Sequence, residues 1–329
     1  MKDEVLAFLK EAQGYGSGEE ISQKLGVTRA AIWKAIKKLQ AEGYEIESST
    51  KKGYKLIKVP NIITPNEVGE HLNTDYFGKS IYYKAEMDST NNKAKELARE
   101  GAKEGTLVIA DCQTGGKGRL GRSWQSPAGT GIWMSLILRP KILPQYASQL
   151  TLIAGLGMCE AIQEVTGLEA KIKWPNDIVV NGRKVCGILT EMHAEMEGIN
   201  YIVVGIGVNV NMQIFPDDLP HATSLLLEGG QEYSRKAIIQ SFLKKFEVDY
   251  NQYKQIPSLE SMRARYEKQC ITLHRKIKLL KKVEGSVTEV VAQAIGITNE
   301  GALKVRYEDQ TMEEVVSGEV SVRGLYDYV

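Results

Sequence analysis

The chain has 329 residues, 43% of them hydrophobic, and a formal net charge of +1. That is enough for two or three domains with substantial cores; a charge so balanced excludes a global field drawing nucleic acid or membrane and leaves only local basic surfaces. Cys112, Cys159, Cys186 and Cys270 lack CxxC spacing, the histidines lack ligand spacing, and no apolar run reaches membrane-spanning length. Disulfide scaffolds, zinc sites and spanning helices are therefore excluded. With no signal-like pattern at Met1, the chain is expected to be soluble in a reducing cytoplasm.

Residues 1–60 predict a first domain. Val5, Leu6, Phe8 and Leu9 mark one helix and 19–25 a second, ending at Gly26. Thr28 caps a third, running to Ala41, whose apolar stripe is Ile32, Ile36 and Leu39. Its other side carries Arg29, Trp33, Lys34, Lys37 and Lys38. Two alternating runs follow, 44–48 and 53–57, joined through Lys51, Lys52 and Gly53. Helix, tight turn, basic helix and hairpin predict a winged helix-turn-helix. The basic helix alone favours a solvated face of a protein-binding module; the lysines of the wing tip turn the reading to DNA phosphates. Thr28, Arg29, Trp33, Lys34, Lys37, Lys51 and Lys52 are the candidate DNA contacts.

Residues 61–269 predict an α+β domain. It opens on Thr64-Pro65-Asn66-Glu67, a capping box with proline at the first helical position. Strands are expected at 81–87, 106–112, 131–138, 185–193 and 200–210, and helices at 93–100, 149–166, 235–253 and 259–268. Residues 270–329 alternate with period two around Gly285, Gly301 and Gly318, predicting a small β-barrel.

The run from Gln113 to Trp124 sets glycines among Lys117, Arg119 and Arg122, directly after a strand. Glycine lets backbone amides approach an anion, and the cations add the charge that amides lack. Gly116 to Gly121 fits the dinucleotide spacing and Gly116 to Ser123 approaches a P-loop, but both need a helix to begin there. Trp124-Gln125-Ser126-Pro127-Ala128-Gly129 forbids it. A second cluster is Lys173-Trp174-Pro175-Asn176-Asp177, then Arg183-Lys184-Val185-Cys186-Gly187. Lys184, fixed at a strand start, suits a transferring phosphate, although taken alone it reads as an incidental surface lysine. A third is Gly205-Ile206-Gly207-Val208-Asn209, a strand able to lie against a flat ligand or simply a bulged core strand.

With Asp88-Ser89-Thr90-Asn91, these motifs make the whole chain resemble the biotin–protein ligases, in the bifunctional form that also represses the biotin operon. The resemblance implies a class II synthetase-like core and an SH3-like C-terminal barrel. It implies that biotin and ATP give biotinyl-5′-AMP, whose acyl group passes to a lysine of a biotin carboxyl carrier domain of biotin-dependent carboxylases such as acetyl-CoA carboxylase. Ser89, Thr90, Asn91, Gln113, Gly116, Lys117, Gly118, Arg119, Lys184, Gly187 and Gly205 would hold biotin. Arg119, Arg122, Trp124, Asn176, Asp177, Lys184 and Asn209 would hold the nucleotide, with Mg²⁺ accompanying it, and Lys184 and Arg119 would be catalytic. A homodimer holding biotinyl-5′-AMP would bind operator DNA of biotin synthesis genes. Lys117 stands where arginine is common in the family, which keeps charge and loses bidentate geometry. A lipoate ligase, or a sensor without catalysis, remains open from sequence.

Overall fold

The structure, a computed structural model, describes residues 1–12, 14–195, 198–283, 286–317, 320–325 and 328–329. The chain forms two compact units, Met1–Ile62 and Ile63–Val329.

In the first unit, α1 (Lys2–Glu11), α2 (Gly18–Leu25) and α3 (Arg29–Ala41) precede β1 (Glu45–Ser49) and β2 (Gly53–Lys58), an antiparallel hairpin. Ser17 and Glu20 close a reciprocal capping box on α2, and Gly26 ends that helix in a left-handed turn. Thr28 caps α3 through Ala31 N. Val5, Leu9, Ile21, Ile32, Ile36 and Leu39 form the buried centre. Gly53, at φ 99°, passes so close to Gly16 that a Cβ would lie 2.1 Å from its carbonyl oxygen, so glycine is required where the wing returns.

The second unit is built on a seven-stranded sheet. Its elements are α4 (Pro65–Gly69), β3 (Ile81–Met87), α5 (Thr90–Arg99), β4 (Leu107–Gln113), β5 (Gly131–Leu138), α6 (Gln149–Thr166), β6 (Ala170–Lys173), β7 (Asp177–Val180), β8 (Arg183–Glu195) and β9 (Gly198–Asn209). After these come α7 (Leu225–Gly229), α8 (Arg235–Gln255) and α9 (Glu260–Gln269). The strand order is β3-β4-β5-β9-β8-β7-β6, with only β3 and β4 parallel among the described pairs. Side chains alternate between the faces. Ile132, Met134, Leu136, Val204, Ile206 and Val208 face the large core with α6 and α8. Ala94 and Ala98 of α5 cover Val108, Ile137 and Val203 on the other face. The rest of that second face is left for the site.

The last strands, β10 (Lys276–Val283), β11 (Ser286–Ile297), β12 (Leu303–Arg306), β13 (Met312–Val315) and β14 (Val320–Gly324), form an antiparallel sheet of order β13-β12-β11-β10-β14. Its inner residues Ile277, Leu279, Ala294, Leu303, Val305 and Val322 join the core of the second unit. Strand β14 was not expected, and residues 271–275, expected in a strand, instead turn after Ile271 N bonds Ile172 O. Gly301 turns as expected at φ 87°; Gly285 and Gly318 lie outside the described residues. Helix α5 starts at Thr90, not Lys93, because the Ser89 hydroxyl already accepts from Asn92 N and ends the strand-to-helix turn there.

Candidate active site

The open face of the sheet is floored by backbone. Trp133, Gly207 and Gly187 stand opposite one another across β5, β9 and β8, and Ser135, Gly205 and Leu189 make the next row. In β8 a bulge at Val185 breaks the ladder, so that Lys184 pairs with Val179 and Cys186 with Ile178. The extra residue turns Lys184 onto the same face as Gly187, three positions on; a Cβ on Gly187 would lie 3.3 Å from the Lys184 Nζ.

A polar chain runs along one wall. Gln113 Oε1 accepts from Thr90 N at 2.8 Å and from Thr90 Oγ1 at 3.1 Å, while Gln113 Nε2 donates to Ser126 Oγ at 2.8 Å. Ser135 Oγ lies 2.8 Å from Thr90 Oγ1 and 2.6 Å from Asn91 Oδ1. Asn91 Nδ2 donates to Glu191 Oε2 at 2.8 Å, and Lys95 Nζ binds the other carboxylate oxygen at 2.8 Å. Burial would raise the Glu191 carboxyl, but the bonds from Lys95 and Asn91 outweigh it and hold it below its ordinary value. Every group in the chain is thus fixed in orientation by its neighbours.

The glycine-rich loop folds back on itself without starting a helix, as Pro127 and the glycines demand. Gly118 N donates to Arg122 O at 2.7 Å and Trp124 N to Gly116 O at 2.9 Å. Trp124 lies over the bare backbone: a Cβ on Gly207 would be 2.5 Å from its Nε1, and one on Gly187 would be 2.9 Å from its ring. Its buried Nε1–H has no partner among the described residues. Arg119 is half-buried and donates to Asn176 Oδ1 at 2.8 Å. Burial lowers its pKa, with Arg122 adding to that and Asp177 opposing, yet a guanidinium keeps its charge.

Two cavities meet here. A small one of about 50 Å³ is lined by Ser89, Thr90, Asn91, Gln113, Lys117, Gly187 and Gly205, among others. A larger one of about 510 Å³ is lined by Arg122, Lys173, Asp177, Asn209, His221 and Tyr328, among others. Gly118, Arg119, Trp124, Asn176 and Lys184 line both. Of the residues singled out from sequence, Gly116 is outside both linings; it sits behind the wall, where a Cβ would lie 2.4 Å from Trp124 O. Asn209 reaches the larger cavity with its amide tied to Thr223 O. Sequence reasoning left out Ser135, Glu191 and Tyr328, and named Lys173 in its motif without giving it a role. Ser135 had a signal, as the lone polar side chain in the run from Ile132 to Leu138; Tyr328 had none.

The charges at the junction are mostly positive, with Asp177 among them. Lys184 Nζ lies 2.6 Å from Asp177 Oδ1, and Tyr328 Oη donates to Asp177 Oδ2 at 2.5 Å. Burial alone would raise Asp177, but Lys184 and Lys173 hold it below the ordinary carboxylate value. Lys173 is itself buried, which pulls its ammonium down to about 8, with Asp177 opposing and Lys184, Arg323 and Arg122 assisting. No cluster of three or more His, Cys, Asp or Glu exists among the described residues. The arrangement is a cationic seam between two chambers, suited to bringing two anions together.

In the first unit, Trp33, Lys34 and Lys37 of α3 are exposed, opposite the buried Ile32 and Ile36. The Lys37 ammonium lies 5.9 Å from the Trp33 ring centroid. Arg29 is exposed and paired with Glu19 at 2.9 Å. Thr28 is occupied as the α3 cap. Lys51 and Lys52 are exposed at the hairpin tip, with Lys52 5.5 Å from the Tyr15 ring centroid.

Residues 83–209 match the biotin/lipoate A/B protein ligase family, residues 2–55 an HTH domain, and residues 282–323 the biotin protein ligase C-terminal domain. The bifunctional ligase/repressor BirA of Bacillus subtilis is 46% identical over 255 residues, covering 77% of this chain and 78% of the relative. That of Escherichia coli is 28% identical over 320 residues, 97% of this chain and 96% of the relative. The solved biotin protein ligase from Aquifex aeolicus, in complex with biotin and ATP, is similar at a TM-score of 0.65 and 31% identity, over 75% of this chain and 99% of that one. No described helix is long and apolar enough to cross a membrane. A cationic seam between two chambers, a winged helix-turn-helix ahead of it and this identity over three quarters of the sequence have one explanation: the chain belongs to the biotin–protein ligases, among the bifunctional ligase/repressors.

Proposed function

We propose that this protein joins biotin and ATP into biotinyl-5′-AMP and pyrophosphate, then transfers the biotinyl group to a lysine of a biotin carboxyl carrier domain, releasing AMP. The observation carrying this reading is that the two cavities share Arg119 and Lys184. The small polar chamber suits the ureido ring of biotin, through Ser89, Thr90, Asn91 and Gln113. Its 50 Å³ is short of a bicyclic ligand, so Trp124 moves off Gly187 and Gly207 when biotin enters. Lys117, Gly118 and Gly116 support the flap. The larger chamber suits the nucleotide, through Arg122, Trp124, Asn176, Asp177 and Asn209. Where the chambers meet, Lys184 and Arg119 neutralise the biotin carboxylate and the α-phosphate as a new P–O bond forms and pyrophosphate leaves. Excluding water protects the mixed anhydride until the carrier amine attacks its acyl carbon.

Few carboxylates reach the larger chamber, and Asp177 is already paired. That donor set fits Mg²⁺ carried in on the triphosphate and held through one or two protein oxygens, Asp177 first among them. The ion supplies charge neutralisation of the phosphates.

Incubation with ATP, labelled biotin or lipoate, and a carrier domain tests the reading: label appears on the carrier lysine from biotin alone. Incorporation of lipoate instead, or of nothing, overturns it. Lys173 adds a pH signature. Its folded value of about 8 lies below the ordinary lysine value. Charging it costs folding stability at neutral pH, and that cost is relieved as pH rises above about 8. Nucleotide affinity runs the other way, falling roughly fivefold between pH 7.5 and 9.5 as the ammonium is lost. Calorimetry on the wild type and K173M checks this; a slope unchanged in K173M removes Lys173 from the pocket's electrostatics.

The same protein represses biotin synthesis genes through its N-terminal unit. A homodimer formed on biotinyl-5′-AMP reads paired half-sites in their operator DNA, within the cytoplasm, and carrier protein consumes the adenylate and relieves repression. Functionally the chain divides into 1–60 for DNA, 61–269 for ligation and 270–329 as a closing sheet. Trp33, Lys34, Lys37, Lys51 and Lys52 face the DNA. Replacing Lys51 and Lys52 by alanine weakens operator binding and lowers the slope of log K against log salt by about 2. A slope unchanged in filter binding removes the wing from the interface.

A further inference from the structure

We propose that Tyr328 is a positioning residue of the adenylation site, acting on Lys184 through Asp177. This rests on the reading of Lys184 as the lysine that serves the phosphate. The tyrosine lies beyond the last strand and is held around the β7–β8 hairpin from several sides. Its hydroxyl donates to Asp177 Oδ2 at 2.5 Å, while Asp177 Oδ1 takes the Lys184 ammonium at 2.6 Å. Its ring stacks on His221, with centroids 5.2 Å apart and planes at 24°. The backbone oxygen of that same His221 accepts from Lys184 N at 2.7 Å. The Lys173 ammonium stands 3.8 Å from the ring centroid. The neighbouring Val329 lies against the turn at Gly182, 3.3 Å from where a Cβ there would be. One aromatic side chain therefore touches the carboxylate that pairs with Lys184, the segment that pins its backbone, and the second lysine of the chamber.

The physical need is specific. Asp177 is 9% exposed, so an unpartnered oxygen on it is costly. Lys184 is bound to this carboxylate, and must leave it to face a phosphate. When it leaves, the Tyr328 hydroxyl on Oδ2 and Asn176 Nδ2 on Oδ1 keep Asp177 hydrogen-bonded and in place, with the Lys173 charge favouring its ionised form. Without the hydroxyl, Asp177 has one fewer donor and retains Lys184. The loss then falls on the chemical step, not on binding.

Y328F keeps the ring, its stack and its volume and removes only the hydroxyl; Y328L removes the ring as well. Biotin-dependent ATP–pyrophosphate exchange is measured with the intact protein, alongside melting temperature. A hydrogen bond to a charged acceptor is commonly worth an order of magnitude, so Y328F is expected to lower kcat about tenfold, with KM for ATP and biotin within about twofold and melting nearly unchanged. Y328L is expected to raise KM for ATP in addition. In a D177N background, Y328F adds no further loss, since the residue through which it acts is already neutral. Wild-type kcat in Y328F, or equal loss in the D177N background, overturns the proposal while leaving the ligase reading intact. If the wild type itself shows no biotin-dependent exchange, the ligase reading falls and takes this inference with it.

Discussion

K184Q is expected to form biotinyl-5′-AMP about a thousandfold more slowly than the wild type, the usual loss when a fixed charge that meets a developing oxyanion is removed. Glutamine keeps a donor on a slightly shorter side chain but not the charge. Asp177 remains hydrogen-bonded by Tyr328 and by Asn176 Nδ2, with the Lys173 charge still acting on it, so the fold survives the change. The transfer half-reaction separates chemistry from damage: supplied with presynthesised biotinyl-5′-AMP, K184Q still labels the carrier at a rate within about tenfold of wild type. Exchange of pyrophosphate into ATP at wild-type speed would falsify the role given to Lys184.

The second large effect is at Gly205. A Cβ there would lie 2.0 Å from Asn91 Oδ1, and that amide is bound to Ser135, Glu191 and the Leu189 carbonyl. G205V drives Asn91 from this network and fills the floor of the small chamber. Biotin affinity is expected to drop more than a hundredfold by calorimetry, because both the space and the polar wall are lost. Stability falls by about 1–3 kcal/mol for the buried amide left without partners. Binding of the winged unit to DNA without adenylate is unchanged, which identifies a local lesion. Biotin affinity equal to the wild type would show that the ring lies elsewhere.

How much of this was legible in the sequence depends on how far apart the interacting residues are. The first unit is written in local signals: Gly26, Thr28 and the Ile32–Ile36–Leu39 stripe each act over a few turns of helix, and each has its expected place. The glycine loop was legible for the same reason, since Pro127 and its neighbours forbid the helix that two other phosphate motifs need. The start of α5 was missed by three residues because Ser89, Thr90, Asn91 and Asn92 are all competent caps, and only the geometry after β3 selects Ser89. The bulge at Val185 was not visible, although it decides that Lys184 and Gly187 share a face. Least visible were partners separated by long stretches of chain. Asn91 meets Glu191 100 residues on, and Tyr328 meets Asp177 across 151. Periodicity and spacing carry no information at that range; only the closed sheet brings those side chains together.

The trough under Trp124 has a practical corollary for redesign. Gly187, Gly205 and Gly207 have already shed every atom a side chain could lose, so trimming them cannot widen the chamber for a bulkier vitamin analogue. Room must come from the side walls, at Leu189 or Trp124 itself. Truncating one of these accepts a larger acyl donor while the backbone bed beneath stays rigid.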